Sequence, residues 1–187
     1  PYSSAKIINI DDSEAKEHKD VLKIISYKDI KNLNINQMRT TFLLKNKDGQ
    51  DMYETKRHIL AKNLVRYVGD PILAIVATKL SSAEEAAEKV LIEYNEKDSV
   101  TDIKKAIEID APIVREQLKN NICFDWDLGD KSETSNKIKE SKYLVNINLR
   151  NNRLVPNPME CRSTLGMYSY KENQYTLYCS SQGVHSL

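Results

Sequence analysis

In the first sixty residues, apolar positions come in short bursts set in a background rich in Lys, Asn and Asp. "AKIINI" (5–10) and "VLKIIS" (21–26) carry Ile and Val at the density of β-strands. "LLKNKDGQDMYETK" follows, with Asp48-Gly49 as a turn signal able to close a hairpin. The sharpest change comes at 72–77, "ILAIVA", bounded by Gly69-Asp70-Pro71 in front and Ser81-Ser82 behind. A run so short and uninterrupted predicts a strand buried on both faces. Ser81 and Glu84 then have the spacing of a capping box. Ala83, Ala86, Ala87, Val90 and Leu91 recur at the spacing of an amphipathic helix, with Glu84, Glu85, Glu88 and Lys89 turned to solvent. "VLIEY" (90–94) has the β-branched and aromatic density of a further strand, so the unit reads strand–helix–strand.

Beyond residue 100 the pattern weakens. A short helix from Asp102, broken at Ala111-Pro112, would lie in a connection between two structural units over roughly 100–125. "SNKIKESK" (135–142) predicts a short helix. "YLVNINLR" (143–150) alternates, with Tyr143, Val145, Ile147 and Leu149 on one face, as in a half-buried strand. "TLGMYSY" (164–170) and "QYTLYCSSQ" (174–182), separated by Lys171-Glu172-Asn173, read as a β-hairpin that places Tyr175, Leu177 and Cys179 on one face.

Composition narrows the classes. The 187 residues suffice for one large domain or two small ones. The 28 basic and 27 acidic side chains nearly cancel, so no basic excess points to nucleic acid or an anionic membrane surface. No apolar run approaches the roughly 20 residues of a membrane span, and "PYSSAKIINIDD" lacks the layout of a signal peptide. Without an initiator Met, the natural N-terminus is expected to be missing or to have been processed away. Cys123, Cys161 and Cys179 are odd in number and lack CxxC spacing, which predicts free, mostly buried thiols and a reducing compartment. His18, His58 and His185 are far apart, and no His/Cys/carboxylate group has metal-site spacing. P-loop and GxGxxG patterns are absent.

Three stretches could carry chemistry. Gly69-Asp70-Pro71 is either a turn or a loop approaching a ligand, the turn being favoured. "NNRLVPNPMECRS" (151–163) concentrates prolines that force an extended path, with Glu160, Arg153 and Arg162 available for a charge-assisted pairing or for a substrate. "SSQGVHSL" (180–187) offers the amide of Gln182 and the close backbone approach of Gly183. His185 has no sequence-near acid or base partner, and no catalytic triad can be ordered from spacing.

Four blocks, "VRYVGDPILAIVATKLSSAEEAAEKVLIEY", "ICFDWDLGD", "NNRLVPNPMECRSTLGMY" and "YTLYCSSQGVH", stand in the order found in molybdenum hydroxylases. The sequence resembles the xanthine dehydrogenase/aldehyde oxidase family, and within it the molybdenum-binding large subunits of the aerobic carbon monoxide dehydrogenase type. "PYSSAKIINID" is similar to an early strand of that family, while residues 11–60 match loosely. The resemblance implies an α+β protein. An α/β hammerhead domain over 1–110 and a linker over 111–124 would precede the truncated start of a molybdopterin-binding domain over 125–187. It implies that Gln182 supplies a side-chain amide beside an oxo ligand of molybdenum, with Gly183 giving the cofactor room, a role acting through hydrogen bonding rather than ligation.

The same resemblance implies a molybdenum–molybdopterin cofactor, in the cytosine dinucleotide form, in the full-length protein and none in these 187 residues alone. It also implies an Fe–S small subunit and an FAD medium subunit in a dimer of heterotrimers, and a cytoplasmic location. The family's Gly-Gly-Phe-Gly loop and glutamate base lie further along than Leu187. The chain is therefore expected to be an N-terminal piece with no catalytic residue of its own. None of its cysteines carries over to a copper-binding role. Carbon monoxide oxidation, hydroxylation of an aldehyde or N-heterocycle such as xanthine, and a non-catalytic interaction module remain open. A small binding domain unrelated to molybdenum is a weaker fourth reading. A Gly-rich Phe loop and a late glutamate in the gene beyond Leu187 would decide for the enzyme.

Overall fold

The computed structural model describes residues 1–40, 42–152, 154, 157–160, 162–181 and 183. It has two compact units, Pro1–Asp130 and Lys131–Leu187.

In the first unit, β1 (Ala5–Asp11) is the central strand of an antiparallel sheet. On one side it pairs with β3 (Leu64–Val65), and on the other with β5 (Leu91–Glu96). Ala5 sits opposite both Val65 and Glu96 and is 0% exposed. Around Ala5, Ala61 and Val65 pack Tyr2, Ile7, Ile72 and Tyr94, the rings of Tyr2 and Tyr94 lying 5.2 Å apart. The sequence carries consecutive isoleucines at 7 and 8 because the pairing with β5 slips between Ile7 and Asn9. The bulge moves the inward side from odd to even positions, so Ile7 and Ile10 turn inward while Ile8 is 53% exposed.

A second antiparallel pair joins β2 (Val21–Ile25) to β4 (Ala74–Ala77). The strand–helix–strand order is as expected, with α3 (Leu80–Glu88) between β4 and β5. The flanking strands belong to different sheets, however. The strand at 72–77 is also not buried on both faces, since Val76 is 41% exposed. A two-stranded pair covered on one side leaves its other side open: Ile75 turns toward Ala83 and Ala87 of α3, and Val76 turns away.

Helix α3 does not begin with the expected capping box. Lys79 occupies the N-cap position without a side-chain bond, and Ser81 is the second helical residue. Its most buried face is Ser82 and Ala86 rather than Ala83 and Ala87. Three polar ties explain the shift. Ser82 Oγ donates to Asp20 Oδ2 at 2.9 Å, Glu85 meets His18 Nε2 at 3.3 Å, and Lys89 meets Glu14 at 3.4 Å. Positions 82, 85, 86 and 89 share one helical face, and that face lies against α1 (Ser13–Lys16), whose Ala15 is wholly buried. An unanticipated short helix, α2 (Tyr27–Asn32), starts at Ser26, whose N–H and Oγ–H both donate to Asp29 Oδ2 at 2.8 Å.

Residues 38–57 form an irregular arm that returns at Gly49, where φ is +83°, fulfilling the Asp48-Gly49 turn. Residues 102–125 are fastened to the unit. Tyr53 N–H donates to Cys123 O and Lys47 N–H to Asp125 O, each at 2.8 Å, and Lys47 and Asp125 also form an ion pair. Asn121 Nδ2 donates to the carbonyls of Ala106 and Pro112. The helix expected from Asp102 is one 3-10 turn, Lys105–Ile107. Cys123 is half-buried.

In the second unit, α4 (Lys131–Glu140) starts earlier than the sequence pattern predicts. Strands β6 (Thr164–Ser169) and β7 (Gln174–Cys179) form the expected hairpin. The alternating segment 143–150 is not a strand, and its apolar side chains are exposed, Leu149 by 85%. Alternation makes a strand only where a ladder partner satisfies the backbone, and no strand among the described residues pairs with it. No helix among the described residues is long and apolar enough to cross a membrane.

The Ser82–Asp20 bond holds the Asp20 carboxyl below its usual range, with a further bond from Thr78. A depressed carboxyl contributes stability above its unfolded pKa, which is lost as pH falls through the folded value. Ser82→Ala is therefore expected to lower the Tm by a few degrees at pH 7, with the gap to the parent protein closing below about pH 4. Urea midpoints of both proteins across that range check it, and a gap unchanged down to pH 3 would refute the coupling.

Candidate functional site

The expected cofactor-facing residues follow β7. In the hairpin register Thr164 faces Cys179, Gly166 faces Leu177 and Tyr168 faces Tyr175, so these six residues share one face. The expected placement of Tyr175, Leu177 and Cys179 holds. Tyr168 organises the closed end: its ring lies 4.6 Å from that of Tyr175 and 4.8 Å from that of Tyr170, and its hydroxyl donates to Asn173 Oδ1 at 2.7 Å. Asn173 takes the left-handed conformation that the turn requires, φ +49°. At the open end Cys179 is half-buried, and beyond it Gly183 is half-buried too.

Gln182 and His185 lie outside the described residues, as do Cys161 and Arg153. Among the described residues no ion pair joins Glu160 to Arg162, so the charge-assisted pairing expected there is not formed by these two. No three His, Cys, Asp or Glu side chains converge among the described residues as metal ligands would. The hairpin face is open, and a Cβ placed on Gly166 would meet nothing within 4 Å. The described part of the second unit thus offers an open hairpin face followed by the half-buried Gly183, and no chemical step follows from it.

A second polar constellation, not anticipated from the sequence, lies in the first unit. A cavity of about 420 Å³ is lined by residues of 53–70 together with Gln37 and 114–117. His58 stands in its wall, edge-on to Tyr27 at 4.8 Å, with the Gln37 amide 2.9 Å from Nε2. Burial, and then the charges of Lys62, Arg66 and Arg115, push the His58 ring below its ordinary pKa and favour its neutral form. Burial and the neighbouring Arg115 likewise lower Arg66. Of its members only Asp70, in Gly69-Asp70-Pro71, lies in a stretch singled out by the sequence for chemistry; the cations come from separate segments that no spacing connects.

With the fold in view, the comparisons define a class. The family model "Aldehyde oxidase and xanthine dehydrogenase, a/b hammerhead domain" matches residues 1–98, and that of a "Molybdopterin cofactor-binding domain" matches residues 114–187. The chain belongs to the aldehyde oxidase and xanthine dehydrogenase family, as its four sequence blocks imply. It is 26% identical to the carbon monoxide dehydrogenase large chain of Afipia carboxidovorans, over 98% of this chain and 23% of that relative. It is 30% identical to the nicotine 6-hydroxylase large subunit of Paenarthrobacter nicotinovorans, over 68% of this chain and 15% of the relative. Among solved structures, reconstituted CO dehydrogenase from Oligotropha carboxidovorans matches with a TM-score of 0.80 at 24% identity, covering 95% of this chain and 22% of that one. Aldehyde oxidoreductase from Desulfovibrio gigas matches with a TM-score of 0.75 at 26% identity, over 98% and 20%. The chain thus spans less than a quarter of the length of each of these proteins.

Proposed function

We propose that this chain is the N-terminal part of the molybdenum-binding large subunit of a carbon monoxide dehydrogenase-type oxidoreductase. The observation that carries the reading is the succession of the two family matches along one chain, hammerhead then molybdopterin-binding, together with a carbon monoxide dehydrogenase large chain matched over 98% of the sequence. On this reading residues 1–110 are the hammerhead domain, 111–124 a linker and 125–187 the start of the cofactor-binding domain.

When bound, a molybdenum–molybdopterin group, in its cytosine dinucleotide form, would supply two-electron oxidation with oxygen taken from water. This chain's contribution would be to position the group, with the Gln182 amide and the Gly183 backbone beside it. Electrons would pass to Fe–S and FAD subunits in a dimer of heterotrimers. Relatives called "large chain" and "large subunit" support a multi-subunit assembly. The half-buried free thiols Cys123 and Cys179 suit a cytoplasmic location.

A second reading, hydroxylation of an N-heterocycle, is favoured by the 30% identity to the nicotine 6-hydroxylase large subunit. Assays of the full-length protein with its partner subunits, offered carbon monoxide, nicotine or an aldehyde with an artificial electron acceptor, separate the two. Turnover of carbon monoxide alone is expected, and turnover of nicotine alone would replace the first reading with the second. In that full-length protein Gln182→Ala is expected to retain molybdenum and lower turnover roughly 10- to 100-fold; unchanged turnover would remove Gln182 from the site. The isolated 187 residues are expected to hold no stoichiometric molybdenum, and elemental analysis giving one atom per chain would overturn that expectation.

A further inference from the structure

We propose that the cavity beside His58 is a binding site for a small oxyanion, phosphate or carboxylate, held by Arg66, Arg115 and Lys62. Its volume, about 420 Å³, falls within the range of small-ligand pockets. The chain as a whole is nearly neutral at +1, yet five cationic side chains line this cavity against two carboxylates, Glu54 and Asp70.

Glu54 is paired with Arg39 and Lys56, while Asp70 has neutral partners and offsets part of the Arg66 charge. Glu54 accepts from Arg39 Nε at 2.8 Å and Nη2 at 3.2 Å, a bidentate pairing. Asp70 Oδ2 accepts from the backbone N–H of Arg66 at 3.1 Å, and the Tyr67 hydroxyl also bonds to this carboxyl. Glu116, the other carboxylate whose charge reaches Arg66, is paired with Lys97 at 3.6 Å. Among the described residues no ion pair includes Arg66, Arg115 or Lys62.

The two guanidinium groups are held by neutral partners. Arg66 Nε donates to Val114 O at 3.3 Å, and Arg115 Nη1 donates to Lys56 O at 3.1 Å. A carbonyl orients a guanidinium without neutralising it, and each group has five donors, so a planar fork is left for an oxyanion. Burial is the larger reason that Arg66 and His58 are lowered, and repulsion from Arg115 adds to it at both. An arriving anion would relieve this repulsion and strengthen the hold of His58 on its proton.

Isothermal titration of inorganic phosphate, and separately of succinate, into the whole chain at ionic strength fixed with chloride tests the site. Saturable one-to-one binding of either probe is expected, with a higher His58 titration midpoint by NMR when the probe is present. Arg115→Gln and Lys62→Gln should each weaken binding roughly tenfold. Lys139→Gln, an equal loss of charge on α4, should leave it unchanged. Lys62 is exposed, so its variant keeps the test open if Arg115→Gln fails to fold. The site is refuted by no saturable binding of either probe, by an equal loss in Lys139→Gln, or by an unmoved His58 midpoint.

Discussion

The first unit depends on the burial of Ala5 between two strands that arrive from distant parts of the chain. Val65 comes to one side of β1 and Glu96 to the other, and Tyr2 and Tyr94 pack together against the buried cluster at this crossing. Such pairing must overcome the entropy of closing long loops before it gains anything in return. Once made, it fixes much else. Pairing at β3 puts Val65 in the core, and just after the strand the Arg66 guanidinium meets the Val114 carbonyl and lines the cavity. The return of β5 brings α3 back against α1, and the ties from Ser82, Glu85 and Lys89 follow from that placement.

The parts legible in the sequence are those governed by near neighbours. The strands at 5–11, 21–25 and 91–96, the turn at Gly49 and the β6–β7 hairpin follow from local β-branched density and turn residues. The misreadings arise where a distant partner decides. Ser81 and Glu84 have capping-box spacing, yet the serine that matters is Ser82, because Asp20 stands where it can accept. The run at 72–77 is as apolar as a doubly covered strand, but only α3 comes to cover it. Segment 143–150 has an ideal alternation and no ladder. The cation cluster was illegible, since Lys62, Arg66 and Arg115 gain meaning only from a fold that gathers them.

The two units also differ in what holds them. The first has a small buried core of Ala5, Leu60, Ala61 and Val65, with Ala15 of α1 and Ala86 of α3 also buried, reinforced by a polar network that stitches residues 102–125 to its surface. In the second, none of the described residues is fully buried. A two-stranded hairpin with both faces open is marginal in water, because it gains too little from burial to offset the ordering of its backbone. Side-chain contacts at its closed end, the Tyr168–Tyr175 stack and the Tyr168–Asn173 bond, order the turn without building a core. Stability measured on the whole chain therefore reports chiefly on Pro1–Asp130. A substitution in β6 or β7 can disturb the hairpin while leaving the main unfolding transition almost unmoved.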